Sequence, residues 1–460
     1  MTEESKTHDR YVIIPVEVKV REFASRLLVA YWLMKSGYRV IIGDHYAIKR
    51  NIGFLPKSVY LARKLAVGKT GYIKKIRKCG NKLVSIDEEG IGRLQKLYLN
   101  NRFSHENISR ADYVFTWGSK DYESLSTYYH QQKDKFKITG NPRVDIWKNG
   151  FDSDAQKIQE LKSAYGDFVF IPSNFGGYSD ERDDDDDILL ARQAGILDDP
   201  ELKRLYFSRL VYVRKGFQEY VKMIGVLSEK YPDKTIIIRP HPMDKQEKWH
   251  NHFRDSKNVK TVYEGTLGPY IDACGLMIHF GCHAGIEAYF KKKPSIAFLP
   301  VRNAYFENHP AFYVSQICDT YSHLFELIEN ALDNKPAAAA IDVKAYFFNT
   351  DAPSYDNMIK YIDLIGFHAP SGPKYNLIML NDLYDQIKNH PAVKNTVKKI
   401  KQRVLSKSRI ERSPRTYSTF PYLYPEEIRE YVKRFDGFYN MRTEMNITRV
   451  SKAVYEISET

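Results

Sequence analysis

Cysteine is scarce in this sequence: four residues in 460 (Cys79, Cys274, Cys282, Cys318), with no Cys-x-x-Cys pair and no Cys/His cluster. That spacing excludes a disulfide framework and argues against a zinc site. Long apolar runs are missing as well. No uncharged stretch approaches the ~18–20 residues that a helix needs to span a bilayer. The opening MTEESKTHDR is polar and charged, so it lacks the apolar core of a signal peptide. A cytoplasmic protein, soluble or peripheral on the inner face of the membrane, is the expectation. No solenoid repeat is present, and neither is a recognition motif for nucleic acid, so no nucleic-acid partner is expected.

What is present is an ordinary globular composition, 43% hydrophobic and 28% charged, with a net charge of +13 that favours an anionic partner. The chain is too long for one core. The 34 tyrosines suit surfaces that meet sugars or headgroups, and equally the rims of two cores.

Short apolar runs alternate with helical patterns over the first 150 residues. Tyr11–Val16, Arg39–Gly43, Leu83–Ile86 and Tyr113–Trp117 read as strands. Phe23–Lys35, a segment near Lys57–Ala66 and the stretch after Ser119 read as helices. Gly140-Asn141-Pro142 marks a boundary, after which the alternation restarts: Phe168–Ile171, a long helix around Leu202–Lys230, Thr235–Ile238, Lys260–Tyr263, Leu276–Phe280 and Ser295–Leu299. Strand–helix–strand repetition predicts parallel sheets covered on both faces, in two domains over 1–150 and 151–338. The remainder, 339–460, reads as a mostly helical, basic extension that could return to the first domain. Its segment Lys394–Arg412 carries eight basic residues and one acid, with Val397, Ile400 and Val404 on one helical face. Such a helix either lies on an anionic membrane surface or packs on the second domain.

Chemistry-bearing residues gather at predicted strand ends. Arg239-Pro240-His241-Pro242 follows one strand; two prolines stiffen a segment whose Arg and His can meet a phosphate. Phe280-Gly281-Cys282-His283 follows another and opens a helix that contains Glu287. Small residues there let backbone amides and the helix dipole approach an anion. The spacing of about forty residues would allow these two strands to be neighbours, lining one pocket. Glu264 follows a third strand, where an acid can accept from ribose hydroxyls, with Glu287 as its rival. In the first domain Asp87-Glu88-Glu89-Gly90 crowds carboxylates at a strand end, which raises one of them toward use as a base; a solvated turn is the plainer reading. Asp183–Asp187 reads as a solvated loop, and no metal is expected.

Taken in order, IPVEVKVREF, the acid-acid-Gly triplet, ITGNPRVD, RPHP and HFGCHAGIEA resemble bacterial surface-carbohydrate biosynthesis enzymes. These are similar to the CMP-sugar-dependent sialyltransferases, polysialyltransferases and capsule Kdo transferases of the GT-B class. The resemblance spans roughly residues 11–330. It implies an α/β GT-B-like fold, two Rossmann-type domains with parallel sheets facing across a cleft. The activity it implies is a metal- and cofactor-independent transfer of Kdo or another ulosonic acid from a CMP-activated donor to a glycan or glycolipid acceptor, in capsule or lipopolysaccharide synthesis. In that scheme Glu88 is the general base beside Glu89 and Asp87, and His241 stabilises the leaving phosphate with Arg239. Gly281, Cys282 and His283 replace a Ser pair at the phosphate, while Ser173, Asn174 and Glu264 approach the nucleotide. Lys19 and Arg21 would meet an anionic acceptor or the donor carboxylate, or simply start a charged helix. The rivals are a UDP-GlcNAc 2-epimerase of the same fold, a CDP-alcohol polymer phosphotransferase, and a non-catalytic membrane- or RNA-binding protein.

Overall fold

The computed structural model describes residues 9–89, 96–175, 188, 191–192, 195–241, 244, 246–332, 343–350, 352–369, 372–390, 420 and 422–460. The basic segment Lys394–Arg412, the acidic run Asp183–Asp187, Gly90 and Pro242 lie outside those residues.

The first six strands are β1 (Tyr11–Val16), β2 (Arg39–Asp44), β3 (Val59–Ala62), β4 (Lys82–Ile86), β5 (Tyr113–Thr116) and β6 (Phe136–Ile138). Six more follow: β7 (Val169–Pro172), β8 (Ile236–Arg239), β9 (Val259–Thr261), β10 (Leu276–His279), β11 (Ser295–Phe298) and β12 (Gln316–Cys318). Near the end, β13 (Met445–Ser451) and β14 (Val454–Glu459) form an antiparallel hairpin. The strands make two sheets, ordered β13-β14-β2-β1-β3-β4-β5-β6 and β12-β11-β10-β7-β8-β9. Apart from the hairpin and its antiparallel pairing with β2, every pairing is parallel. Both sheets bury both faces, so their strands are continuous apolar runs such as YVIIPV, buried throughout, rather than alternating ones.

The sequence pattern misplaces three features. The segment near Lys57–Ala66 is not a helix: Val59–Ala62 forms β3, paired to both β1 and β4. Leu61 and Leu65 sit at a helical spacing, but sheet burial of VYLA overrides that local preference. The C-terminal extension is helical over Ser354–Ile365, Tyr375–Asn389 and Pro425–Tyr439, yet it also contributes the β13–β14 hairpin, which joins the first sheet along β2. Finally, β8 and β10 are not neighbours, because β7 lies between them.

The helix Lys19–Lys35 packs Leu27, Leu28, Leu33 and Met34 into the first core. Full burial of each such side chain contributes roughly 1.5–3 kcal/mol. The extension covers the helix's outer side: Trp32 stacks on Tyr355 at 4.9 Å, and Tyr31 Oη donates to Asp436 Oδ1 at 2.8 Å. Gly43 permits the hairpin to close on β2. Its φ is +148°, and a Cβ there would stand 2.1 Å from the Ala453 carbonyl oxygen. Between the sheets the chain runs through Pro142–Asn149, whose first turn is capped by the Asn141 side chain accepting from Arg143 N–H. Lys291 of the second domain, nearly wholly buried, pairs with Asp152 and Asp272 at 2.8 and 3.0 Å beside this junction. Among the described residues no helix is long and apolar enough to cross a membrane.

Candidate functional site

In parallel sheets the C-terminal strand ends and the helix N-termini that follow them form a single edge where ligands gather. In the second domain that edge is built by β7, β8 and β10. Asp244 organises it. Its Oδ2 accepts from Ser173 Oγ (2.7 Å), from the His241 main-chain N–H (3.0 Å) and from Trp249 Nε1 (3.0 Å). Asn174 Nδ2 donates to the Phe280 carbonyl at 2.8 Å, which ties the loop after β7 to the turn after β10. The intervening strand therefore links the two flanking loops and supplies Ser173 and Asn174 between them.

The turn after β10 requires glycine. Gly281 has φ +68°, and a Cβ would lie 2.1 Å from the Phe312 ring. His279 Nδ1 accepts from the Gly281 N–H at 3.0 Å, holding the turn tight. Cys282 is the N-cap of helix His283–Phe290, and the Gly285 N–H of its first turn donates to the Cys282 carbonyl at 3.0 Å. Burial pushes the Cys282 thiol up to about 11, which makes it inert as a nucleophile near neutral pH.

Across the gap, the first-domain triplet divides its labour. Asp87 is fully engaged: Arg102 forks onto it at 2.7 and 3.0 Å, and Tyr98 Oη donates at 2.9 Å. Glu88 is buried, with Oε1 2.5 Å from Arg26 Nη2, while its carbonyl accepts from Arg143 Nη1 at 3.1 Å. Glu89 is the exposed member, 3.4 Å from Arg102 and 4.0 Å from Arg21. Glu22 accepts from Arg63 at 2.5 Å; burial, then the neighbouring Glu88, push its carboxyl up to about 8.

Three observations bring the halves together. The His241 imidazole is lowered from its ordinary range by burial first, then by Arg21, with Asp244 and Glu89 opposing, so Arg21 and Glu89 lie within electrostatic reach of it. Trp117 donates through Nε1 to the Asp87 carbonyl at 2.8 Å and lies 6.4 Å from the His283 ring. Arg143 feels both Glu88 and Glu287. Glu287 is itself buried, and its carboxyl is pushed up to about 8 by burial and then by Asp152.

Other sequence candidates point elsewhere. Lys19 Nζ is 2.6 Å from Glu427 and donates to the Tyr422 carbonyl, so it fastens the C-terminal extension. Arg239 donates to the carbonyls of Glu264 and Gly265 at 2.8 and 2.5 Å and lies over the Tyr270 ring. Its fork thus stiffens the loop after β9. The Glu264 carboxylate is 78% exposed, 3.8 Å from Lys157, away from the cluster. Sequence reading missed Asp244, Trp117, Arg63 and Arg102. Only Asp244 left a local sign, an acid three residues beyond His241 that can close the loop on its N–H. Among the described residues no group of three or more His, Cys, Asp or Glu is arranged to hold a metal ion.

The same architecture occurs in solved structures. UDP-GlcNAc 2-epimerase from Methanocaldococcus jannaschii aligns over 77% of this chain and 99% of its own, with 14% identity and a TM-score of 0.50. UDP-GlcNAc 2-epimerase from Neisseria meningitidis, bound to UDP-GlcNAc, aligns over 78% of this chain and 100% of its own, with 12% identity and a TM-score of 0.50. The likeness is one of fold, and that fold is GT-B-like. A scan against protein-family models and a search of curated proteins find no match.

Proposed function

We propose that the chain is a nucleotide-sugar enzyme that acts on the bond between the anomeric carbon and the phosphate, with a UDP-sugar 2-epimerase as the reading best supported. One observation supports it: Arg21 and Glu89 of the first domain lie within electrostatic reach of His241, and Trp117, bonded to the Asp87 carbonyl, packs 6.4 Å from the His283 ring. Similarity of fold to 2-epimerases over their whole length adds weight.

In this reading the amides that open helix His283–Phe290 hold the phosphate, where the helix dipole favours negative charge. His241 is neutral near pH 7, because burial and Arg21 disfavour its cation. It donates an N–H to the leaving phosphate oxygen. The sugar reaches Glu88, Glu89 and Arg21 on the opposite side. Inverting a sugar carbon requires removing its proton on one face and returning one on the other, and the acid cluster supplies such groups. Incubation with UDP-GlcNAc in deuterated buffer, followed by proton NMR, tests it: loss of the C2 proton signal together with a second UDP-sugar is expected. An unchanged spectrum refutes the epimerase.

The second reading is transfer from a CMP-activated ulosonic acid to a glycan or glycolipid. It is supported by the electrostatic reach to His241 of Glu89, the neighbour of Glu88, which the motifs imply as the base. CMP release that depends on an added acceptor would select it.

A further inference from the structure

The first sheet carries a second charged feature that the proposed reaction leaves unused. His45 follows β2, and Arg63 and Lys64 follow β3; these parallel strands flank β1, so the three residues emerge on the same edge as the acidic triplet. The chain beyond β3 is fixed in place. Asn107 Nδ2 donates to the carbonyls of Leu65 and Ala66 at 3.1 and 2.8 Å, and Leu65 N–H donates to the Arg102 carbonyl at 3.1 Å. Lys69 ends the short turn Val67–Lys69. Lys49, on helix His45–Asn51, lies 5.3 Å over the Tyr72 ring, and the His45 ring packs 5.7 Å from the same ring.

The charge balance here is lopsided. The nearby carboxylates are already taken: Glu17 and Glu22 by Arg63, Asp87 and Glu89 by Arg102. Asp44 is turned to its own helix, accepting from Ala47 N–H. Among the described residues Lys49, Lys64 and Lys69 have no carboxylate partner. His45 is 7% exposed, and its Nδ1 has no hydrogen-bond partner. The lysines also feel one another. Burial, then Arg102 and Lys69, push the Lys64 ammonium down to about 8, with Asp87 pulling the other way. Lys69 is lowered by burial and then by Lys49. Lys64 and Lys69 are half-buried, with Lys49 exposed at the rim; half-buried like charges without a counterion are costly, and a fold retains them where an anion relieves the repulsion.

The geometry assigns this corner as a binding site for a phosphate-bearing ligand, held by Lys49, Lys64 and Lys69 with His45 as a further donor. Ammonium groups arriving from two segments, the helix after β2 and the stretch after β3, suit a phosphate, which presents several oxygens, better than a planar carboxylate. The site adjoins the acidic triplet through Arg102 but is distinct from the hollow at the β7, β8 and β10 ends, and it does not depend on the reaction proposed above.

Thermal unfolding of the full chain with increasing inorganic pyrophosphate, in saturating UDP so that the nucleotide hollow is already filled, tests the assignment in wild type, Lys64→Met/Lys69→Met and Lys49→Met. Wild type should be stabilised further by pyrophosphate. The double variant should need at least tenfold more pyrophosphate for the same shift, and Lys49→Met severalfold more. Without ligand, the double variant should melt at the same temperature as wild type or higher, because repulsion is relieved. A full pyrophosphate response in the double and Lys49→Met variants, or no response in wild type, would overturn the site. UDP, titrated on the same proteins, reports separately on the nucleotide hollow and should act equally on wild type and the double variant.

Discussion

Arg26 Nη2 stands 2.5 Å from Glu88 Oε1, and the two side chains are 2% and 6% exposed, so the residue best placed by motif as a base is also half of a buried ion pair. Truncating one partner strands the other charge away from water, which costs about 3–5 kcal/mol, whereas replacing both by apolar groups is much less harmful. Glu88→Ala should therefore lower the urea unfolding free energy by that amount, and Arg26→Met/Glu88→Leu should recover most of it. A double variant as unstable as the single one would show that the pair is not coupled. Loss of activity in Glu88→Ala has to be weighed against this loss of fold.

His241→Ala behaves differently. The main-chain N–H of His241 on Asp244 survives the substitution, so the loop keeps this anchor. Removing a donor aimed at a leaving oxygen costs ~10²–10³ in kcat. Turnover should fall by that factor, with the circular dichroism spectrum and melting temperature close to wild type. Asp244→Ala, by contrast, leaves Ser173, His241 N–H and Trp249 without their common acceptor and should destabilise by about 1–3 kcal/mol.

Stability should depend on pH with two opposing slopes. The Glu22 and Glu287 carboxyls, pushed up to about 8, keep their protons in the folded chain while the unfolded chain loses them near 4.5. The folded state binds more protons between those values, so their contribution is present at low pH and is lost as pH rises from 4.5 through 8. His279, lowered to about 3 by burial, stays neutral when folded, whereas the unfolded imidazole charges at 6.5. Its contribution is present above pH 6.5 and is lost as pH falls below that. Urea midpoints measured from pH 4.5 to 8.5 should decline less steeply on the alkaline side in Glu287→Gln than in wild type. An identical alkaline slope in Glu287→Gln would contradict the assignment.

Much of the two-sheet architecture was legible because fully buried parallel strands announce themselves as apolar runs: YVIIPV, RVIIG and LMIH each became a strand. The helix Lys19–Lys35 was readable from Leu27, Leu28, Tyr31 and Met34, with Gly37 at φ +78° beyond its end. β3 was not, since VYLARKLA fits a helix by spacing and becomes a strand only between β1 and β4. Nor was the C-terminal hairpin, whose second strand VYEISE finds its partner in β2, about four hundred residues earlier. At the site, Glu22 and Arg26 stand four residues apart in the helix Lys19–Lys35. Their actual partners, Arg63 and Glu88, come from the ends of other strands, and no local pattern encodes that meeting. Arg239 and Lys19 carried the right charge in the right place along the chain, but side-chain direction turned one to backbone carbonyls and the other to Glu427.

The account rests on one cleft that holds nucleotide on one domain and sugar on the other. Calorimetric titration of UDP and of UDP-GlcNAc into wild type, His241→Ala and Arg21→Ala tests it most directly. Both ligands should bind wild type, His241→Ala should weaken both, and Arg21→Ala should weaken UDP-GlcNAc about tenfold or more, ~1.4 kcal/mol, while leaving UDP unchanged. UDP-GlcNAc binding that ignores Arg21, or no binding of either ligand to wild type, would contradict it.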